Sequence, residues 1–255
     1  MGSFIVAFIL FAIIGALGAF LSGLIGIGGA IIMYPMLLFI PPAFNIDMTP
    51  TAAAGLTAAQ VFFSTLSGSI SQRKNENLNS SIIIPMSIGI LSGSITGAYV
   101  ASVFDESIIN IVYTFLAIVA VILMFIKVNP NDTNAKYNKI ALFIIAALIG
   151  ILSGIVGAGG AFLIVPILLT FFKVPFRVVV ANSIIVAFVS SLGTFFTKFI
   201  TGSVDIEHAL PLIIASLIFA PLGTKVSKKT NQTVLRYILT ALIIIAAIKM
   251  IIDII

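Results

Sequence analysis

The chain has 255 residues, of which 60% are hydrophobic and only 8% charged, and its mean hydropathy is +1.27. A soluble domain does not need so much apolar surface, so this composition indicates a polytopic membrane protein. The sequence has no cysteine, which excludes disulfides and thiolate metal sites, and its net charge of +5 is not gathered into a nucleic-acid-binding motif.

The apolar segments follow one another from the N-terminus with short polar interruptions. Residues 1–20 lack the positively charged flank of a cleaved signal peptide, so we predict that they belong to the first membrane segment. The segments predicted to be helical are residues 4–24, 28–40, 51–70, 81–103, 107–127, 140–156, 159–172, 177–199, 208–225 and 232–252.

A glycine-rich interruption follows the first segment and is repeated after the sixth. Ser22–Leu38 aligns with Ser153–Leu169 at a shift of 131 residues, and nine of the 17 positions are identical. Beyond the interruption the shift falls to about 126, because the loop near Pro41–Pro50 is longer than its partner near Lys173–Arg177, and at that shift Gly97 aligns with Gly223. The identical positions at the interruption pair Gly26 with Gly157, Gly28 with Gly159, Gly29 with Gly160, Ala30 with Ala161 and Pro35 with Pro166. The match predicts a duplicated unit: a first repeat over residues 1–127, a connecting loop over 128–139 and a second repeat over 140–255.

The glycine interruptions must either reverse the chain or let it pass through. A straight helix over Phe4–Ile40 would be ~55 Å long, whereas the hydrocarbon core is ~30 Å thick. If the chain reverses, 11 of the 13 basic residues fall on one face and only Lys198 and Lys249 on the other. If it passes through, the division is seven against six. The positive-inside rule favours reversal, with both termini outside.

Reversal gives each half five elements, so the halves are inverted with respect to each other. The predicted fold is therefore an all-α membrane protein of 8–10 hydrophobic helical segments in two inverted repeats, each opening with a glycine-broken helical hairpin. The arm that follows the glycines, at ~20 Å, is short for a full crossing, so we expect a re-entrant or strongly tilted hairpin.

The two interruptions are the predicted binding site. Unwound backbone within a bilayer survives only where protein buries it or where it lines a wet cavity, and paired interruptions in two repeats are typical of transporter binding sites. Free N–H groups and the positive ends of helix dipoles would favour a small oxyanion. The predicted backbone contacts are Gly26, Gly28, Gly29, Ala30, Gly157, Gly159, Gly160 and Ala161.

The alternative is that these glycines only allow tight helix packing, as small residues in membrane helices often do. Gly89, Gly93 and Gly97 recur every four residues, and we assign those three to packing. Packing alone does not require a cluster of glycines followed by a proline at the same offset in both halves.

Polar side chains near the interruptions form a second group of candidates. Thr57, Gln60 and Ser64 share one helix face, and Asn182 and Ser183 lie on the equivalent helix of the second half. We predict that Thr57, Asn182 and Ser183 donate hydrogen bonds to the substrate. Hydrogen bonding between helices is the alternative role.

Charged residues are not expected inside the membrane spans. Lys198 lies near the end of a segment, and we expect its side chain to extend to the membrane interface. His208 and Glu207 fall in a polar loop. No buried carboxylate is available as a proton relay or as a cation site.

The repeated pattern G-x-G-G-x-(x)4-P-x-L, together with the loop "GSVDIEHAL" at Gly202–Leu210, resembles the sulfite exporter TauE/SafE family of membrane permeases. The resemblance covers nearly the whole chain. It implies a substrate among small sulfur-containing or organic anions, such as sulfite, sulfonates and related carboxylates, and it implies neither import nor export.

The sequence therefore predicts a secondary transporter that moves sulfite or another organic oxyanion by alternating access across the plasma (inner) membrane of a prokaryote. Its expected partners are the anion, the lipid bilayer and a coupling ion, either a proton or sodium, because no nucleotide-binding motif is present. No cofactor, metal or nucleic acid is expected. Neither is enzymatic activity, since no nucleophile–base pair occurs. The alternative is a structural or assembly membrane protein whose glycines only pack.

Overall fold

The computed structural model describes residues 2–26, 29–126, 137–158 and 160–254. Over these residues the chain forms ten α-helices and one 3-10 helix (Pro41–Phe44), with no strand, which confirms the predicted all-α class. The α-helices are α1 (Gly2–Ile25), α2 (Ala30–Phe39), α3 (Pro50–Gln72), α4 (Ser80–Ala101), α5 (Glu106–Phe125), α6 (Lys139–Val156), α7 (Ala161–Thr170), α8 (Phe176–Ile200), α9 (Ile206–Lys229) and α10 (Gln232–Ile254).

Within the described ranges, seven helices are long and apolar enough to cross a membrane: α1, α4, α5, α6, α8, α9 and α10. Their outward faces expose large apolar side chains, such as Ile5, Ile9 and Ile13 on α1. Helix α3 differs because its buried face carries polar residues, among them Thr57 and Gln60, both inaccessible to solvent. The molecule is thus a multi-pass membrane protein with a partly polar centre.

The helix boundaries follow capping chemistry more closely than hydropathy. Thr49 accepts the N–H of Ala52 at 3.2 Å to cap α3, and Pro50 occupies the first turn, where its missing N–H is harmless. Helix α9 is longer than the predicted 208–225 because Asp205 caps its start and two lysines suit its C-terminal dipole. The predicted connecting loop falls largely on residues 127–136, outside the described residues, so the proposed domain division stays a prediction.

Glycines on α4 bring it against α6. A Cβ on Gly97 would lie 1.9 Å from the carbonyl oxygen of Ile151, and one on Gly89 would lie 2.3 Å from that of Phe143. Only a residue without a side chain permits these approaches, which is the packing role predicted for this glycine series. Because the contact positions rise together along both helices, α4 and α6 run parallel.

An equivalent interface joins α1 and α9. A Cβ on Gly223 would lie 2.0 Å from the carbonyl oxygen of Phe20, and one on Gly23 would lie 2.0 Å from that of Ala220. Gly223 is the repeat counterpart of Gly97 at a shift of 126 residues. In each half, therefore, the fourth α-helix packs on the first α-helix of the other half.

Helices α1 and α3 also run parallel. Ser22 and Ser64 share a hydrogen bond at 3.1 Å, and one turn earlier on both helices a Cβ on Gly18 would lie 3.4 Å from Nε2 of Gln60. Because α1 and α3 run in the same direction, the chain must return to the starting side between them, and α2 lies in that connection.

Helices α3 and α8 cross in opposite directions. The hydroxyls of Thr65 and Ser191 are 3.1 Å apart, and the Phe62 ring stacks on Phe188 with centroids 5.9 Å apart. Both pairs join residues separated by 126 positions, which is the shift that relates the second repeat to the first. The opposite directions follow from the contacts on either side of Thr65. Earlier on α3, the Phe62 ring also stacks on Phe195, which lies later on α8, with centroids 5.0 Å apart. Further along α3, a Cβ on Gly68 would meet Ile184, which lies earlier on α8.

Candidate functional site

The first glycine interruption is built from two left-handed residues. Helix α1 ends at Ile25, and Gly26 (φ 77°) and Gly29 (φ 70°) adopt a backbone conformation that residues with a Cβ rarely reach. The carbonyl of Gly29 accepts the N–H of Met33 at 3.1 Å, so Gly29 stands at the N-cap of α2, and no side chain caps that end. Gly28, a predicted contact, lies outside the described residues.

The second interruption repeats this geometry. Gly157 (φ 83°) follows α6, and Gly160 (φ 70°) is the uncapped N-cap residue of α7. The N–H of Ala158 donates to the carbonyl of Ser153 at 3.0 Å, which closes α6 with a Schellman-type turn. Gly159 lies outside the described residues. The aligned pairs Gly26/Gly157 and Gly29/Gly160 thus share a conformation as well as a sequence.

Each interruption packs against the third α-helix of the opposite half. A Cβ on Gly26 would lie 2.6 Å from the carbonyl oxygen of Val180, and the Ser183 hydroxyl donates to the carbonyl of Gly26 at 2.9 Å. A Cβ on Gly157 would lie 2.0 Å from the carbonyl oxygen of Ala54, the repeat counterpart of Val180. Two predicted site residues, Gly26 and Ser183, are therefore brought into direct contact.

The starts of α2 and α7 lie beside a common aromatic residue, Tyr113 of α5. The Tyr113 hydroxyl donates to the carbonyl of Ile31, in the first turn of α2. Its ring lies 6.2 Å from that of Phe162, in the first turn of α7, and 4.9 Å from that of Tyr34. The two uncapped helix starts thus meet in one buried region. Tyr113 was not among the predicted site residues; a lone hydroxylated ring within an apolar span was the available signal.

Each half buries a polar side chain that has no hydrogen-bond partner among the described residues. Gln60 is completely buried, yet neither its amide oxygen nor its nitrogen has a hydrogen-bond partner among the described residues. Ser190, the repeat counterpart of Ser64, likewise buries a hydroxyl without a described partner. Such groups are rare because leaving them unpaired is unfavourable, and a bound molecule would satisfy them.

The other predicted side chains have partners in the chain itself. The Thr57 hydroxyl donates to the carbonyl of Ala53 at 2.7 Å, within its own helix. The Asn182 amide donates to the carbonyl of Asn77 at 2.9 Å and accepts the N–H of Asn79 at 2.7 Å. In this conformation Asn182 fastens the α3–α4 loop to α8.

A polar cavity of about 290 Å³ opens beside this loop. Lys74, Arg177 and Lys228 contribute three positive charges to its lining and Glu76 one negative charge. The cavity reaches Val180, against which Gly26 packs. An electropositive cavity therefore extends to the residue against which the first interruption packs.

The prediction for Lys198 is wrong. Its side chain does not extend to the interface, because the residue is only 2% exposed. The turn after α8 folds back over it: the Ser203 N–H and the Thr201 hydroxyl both donate to the Lys198 carbonyl, at 2.9 and 3.2 Å.

The polar turn before α9 is organised by Asp205. Its carboxylate accepts the N–H of Glu207 at 3.0 Å and contacts Nδ1 of His208 at 2.6 Å. Partial burial raises the pKa of Asp205, but the His208 contact and the backbone N–H groups outweigh it, so the pKa lies below its usual value. No cluster of three His, Asp or Glu side chains that could hold a metal ion occurs in the described part of the chain.

The fold and the paired interruptions define a polytopic membrane protein with the organisation of a transporter. The sequence model of the family described as sulfite exporter TauE/SafE matches residues 11–250, and the chain belongs to this family.

Curated relatives agree with this class. The chain is 24% identical to "Probable membrane transporter protein YunE" of Bacillus subtilis, over 96% of this chain and 97% of the relative. It is 28% identical to "Probable membrane transporter protein MJ0441" of Methanocaldococcus jannaschii, over 92% and 91% of the two chains. No solved structure matches the chain. The protein is a membrane transporter.

Proposed function

We propose that this transporter moves a small oxyanion, either sulfite or an organosulfonate or related organic anion, by alternating access across the plasma membrane of a prokaryote. The observation that carries the proposal is the meeting of two uncapped helix starts, at Gly29 and Gly160, beside Tyr113. Uncapped N-termini direct free N–H groups and positive dipole ends at one region, and an oxyanion satisfies both.

The polar groups around this region suit such a ligand. The buried Gln60 amide supplies two N–H donors beside the first interruption, and the Ser190 hydroxyl supplies another in the second half. The contacts predicted at Gly28, Gly159, Ala30, Ala161 and Thr57 remain part of the proposal. In this proposal, Asn182 holds the α3–α4 loop beside the cavity and is released when that loop moves.

The direction of the helices supports inverted repeats and a reversing glycine hairpin. If the chain passed straight through at the glycines, α1 and α3 would be antiparallel, and α3 and α8 parallel. The contacts are the opposite in both cases: Ser22 with Ser64 on parallel helices, and Thr65 with Ser191 on antiparallel ones. Two inverted halves that meet at Thr65 and Ser191 can rock against each other, with a proton or sodium gradient as the energy source.

Transport by the purified protein in liposomes tests the proposal. We expect saturable uptake of radiolabelled sulfite or a sulfonate that depends on an imposed proton or sodium gradient. Monodisperse, reconstituted protein that moves no sulfite, sulfonate or small carboxylate under either gradient would contradict the proposal and favour a structural or assembly role.

The variant Ser183→Ala tests the involvement of the interruption itself. It removes the hydrogen bond to the Gly26 carbonyl, and we expect the transport rate to fall roughly fivefold, the equivalent of ~1 kcal/mol for one net hydrogen bond. Ser216→Ala is the matched control, because the buried Ser216 hydroxyl bonds only to Leu212 of its own helix. Equal transport rates in the two variants would show that the interruption is not involved in transport.

A further inference from the structure

Lys198 is a buried basic residue without a charged partner among the described residues. It is 2% exposed, and no Asp or Glu carboxylate in the described ranges lies within ion-pair distance of its ammonium. The ion pair in the described ranges joins two other residues, Asp205 and His208. No hydrogen bond from Nζ to a described residue occurs either. An unpaired buried charge is strongly unfavourable, and ionisable residues within membrane segments commonly mark the paths of ions or substrates.

The end of α8 that holds Lys198 is joined to the second interruption by direct contacts. The Lys198 carbonyl accepts the N–H of Ser203 at 2.9 Å. A Cβ on Gly55 would lie 1.9 Å from the carbonyl oxygen of Ser203. The residue before Gly55, Ala54, packs against Gly157: a Cβ on Gly157 would lie 2.0 Å from the carbonyl oxygen of Ala54. The C-terminal end of α8, which holds Lys198, is therefore linked to the second interruption through the turn at Ser203 and the start of α3.

The repeat counterpart of Lys198 shows what this position does. Gln72, 126 residues earlier, is also 2% exposed and lines the cavity that reaches Val180 and the first interruption. The corresponding position is thus buried in both halves, near the C-terminal end of α3 and of α8. In the first half it is a neutral amide, and in the second half it is a cation.

The other basic residue predicted for that face does not share this environment. Lys249 is exposed, and its ammonium lies 4.3 Å from the centre of the Phe39 ring, so it has a cation–π partner. Lys198 is therefore distinguished by its burial and by its lack of a partner.

We propose that Lys198 is a fixed cation that binds the anionic substrate on its passage between the second interruption and the adjacent membrane surface. The proposal rests on the proposed function, because it requires a negatively charged substrate. An ammonium offers three donors and a concentrated charge, which suits a small oxyanion with one or two negative charges better than a neutral solute.

The test compares Lys198→Met and Lys198→Gln with the wild type in liposomes loaded for sulfite transport. We expect KM for sulfite to rise about 10- to 100-fold, as for the loss of a hydrogen bond to a charged group. The Tm of both variants should equal or exceed that of the wild type, because a buried unpaired charge has been removed. Lys249→Gln is the matched control and should keep the wild-type KM.

A wild-type KM in Lys198→Met or Lys198→Gln would overturn the proposal. If neither neutral variant folds, Lys198→Arg decides: the guanidinium keeps the charge but changes the donor geometry, so the ratio of KM for sulfite to KM for a sulfonate should change. An unchanged ratio would assign Lys198 a structural role. Wild-type protein that transports no oxyanion would instead reject the proposed function, and the two failures are thereby distinguishable.

Discussion

At the scale of single residues, the conformation of the glycines could be predicted from the sequence, but the lack of hydrogen-bond partners at certain polar groups could not. The left-handed conformations of Gly26, Gly29, Gly157 and Gly160 were predictable, because glycines clustered at repeated positions favour backbone turns that residues with a Cβ rarely adopt. The unpartnered state of Gln60 was not, since any glutamine on a polar helix face could bond to a neighbouring helix. The burial of Lys198 was missed for a related reason: it depends on the fold of the turn after α8.

Gln60→Leu tests whether the unpartnered amide meets the substrate. We expect KM for sulfite to rise about tenfold, as for the loss of one strong hydrogen bond. The Tm should stay constant or rise, because the variant no longer buries an unsatisfied amide. Transport kinetics in liposomes and thermal unfolding in detergent measure the two effects.

Ser87→Ala is the control for that variant, because the Ser87 hydroxyl on α4 is also buried without a described partner but lies on a helix that carries no interruption. Its KM should not change. A Gln60→Leu protein with a lower Tm and an unaltered KM would show that the amide has a purely structural role.

At the scale of elements, hydropathy located the ten α-helices but not their ends or their neighbours. The capping residues Thr49 and Asp205 explain starts that hydropathy placed one or two residues late. The pairing of α4 with α6 and of α1 with α9 could not be predicted from one sequence, because every apolar helix offers several small residues to a partner. The glycine spacing on α4 predicted a close interface without naming the partner.

Gly97→Ala and Gly223→Ala test the equivalence of those two interfaces. The added methyl groups would lie 1.9 Å from the Ile151 carbonyl oxygen and 2.0 Å from that of Phe20. Both variants should lose similar stability, roughly 1–3 kcal/mol for an overpacked contact, measured as a lower Tm in detergent.

Gly202→Ala provides the comparison for backbone strain alone. Gly202 has φ 76°, but a Cβ there would meet no atom within 4 Å. The loss of stability in Gly202→Ala should be limited to roughly 1–2 kcal/mol, the cost of a left-handed residue with a Cβ, and transport should persist. A Gly223→Ala protein as stable as the wild type would show that α1 and α9 can separate without consequence.

At the scale of the whole molecule, the sequence predicted a duplication but not which helices of the two halves meet. The 126-residue shift aligned two sets of helices, and charge counting favoured inversion. Only tertiary contacts show which helices meet: Thr65 touches Ser191, its own counterpart, on a helix that runs the opposite way. The orientation of the termini in the membrane stays a prediction from the positive-inside rule.

Single cysteines test that orientation, and the natural absence of cysteine makes every label specific. In intact cells, Ser102→Cys and Thr201→Cys should react with a membrane-impermeant thiol reagent. Glu76→Cys should react only after the membrane is permeabilised. A chain that passes through at the glycines would instead place Glu76 and Thr201 on the same side, so joint labelling of these two variants would reject the reversing hairpin.

The difference between Gln72 and Lys198 has a consequence for how such a protein evolves. A homodimer of identical halves must place a cation at both mouths or at neither, because symmetry repeats every residue. A single chain with the predicted repeats is free of that constraint, so it can bury a cation at Lys198 while the corresponding position, Gln72, stays neutral. Such a chain can acquire an electrical polarity, and with it different anion affinities on the two sides of the bilayer.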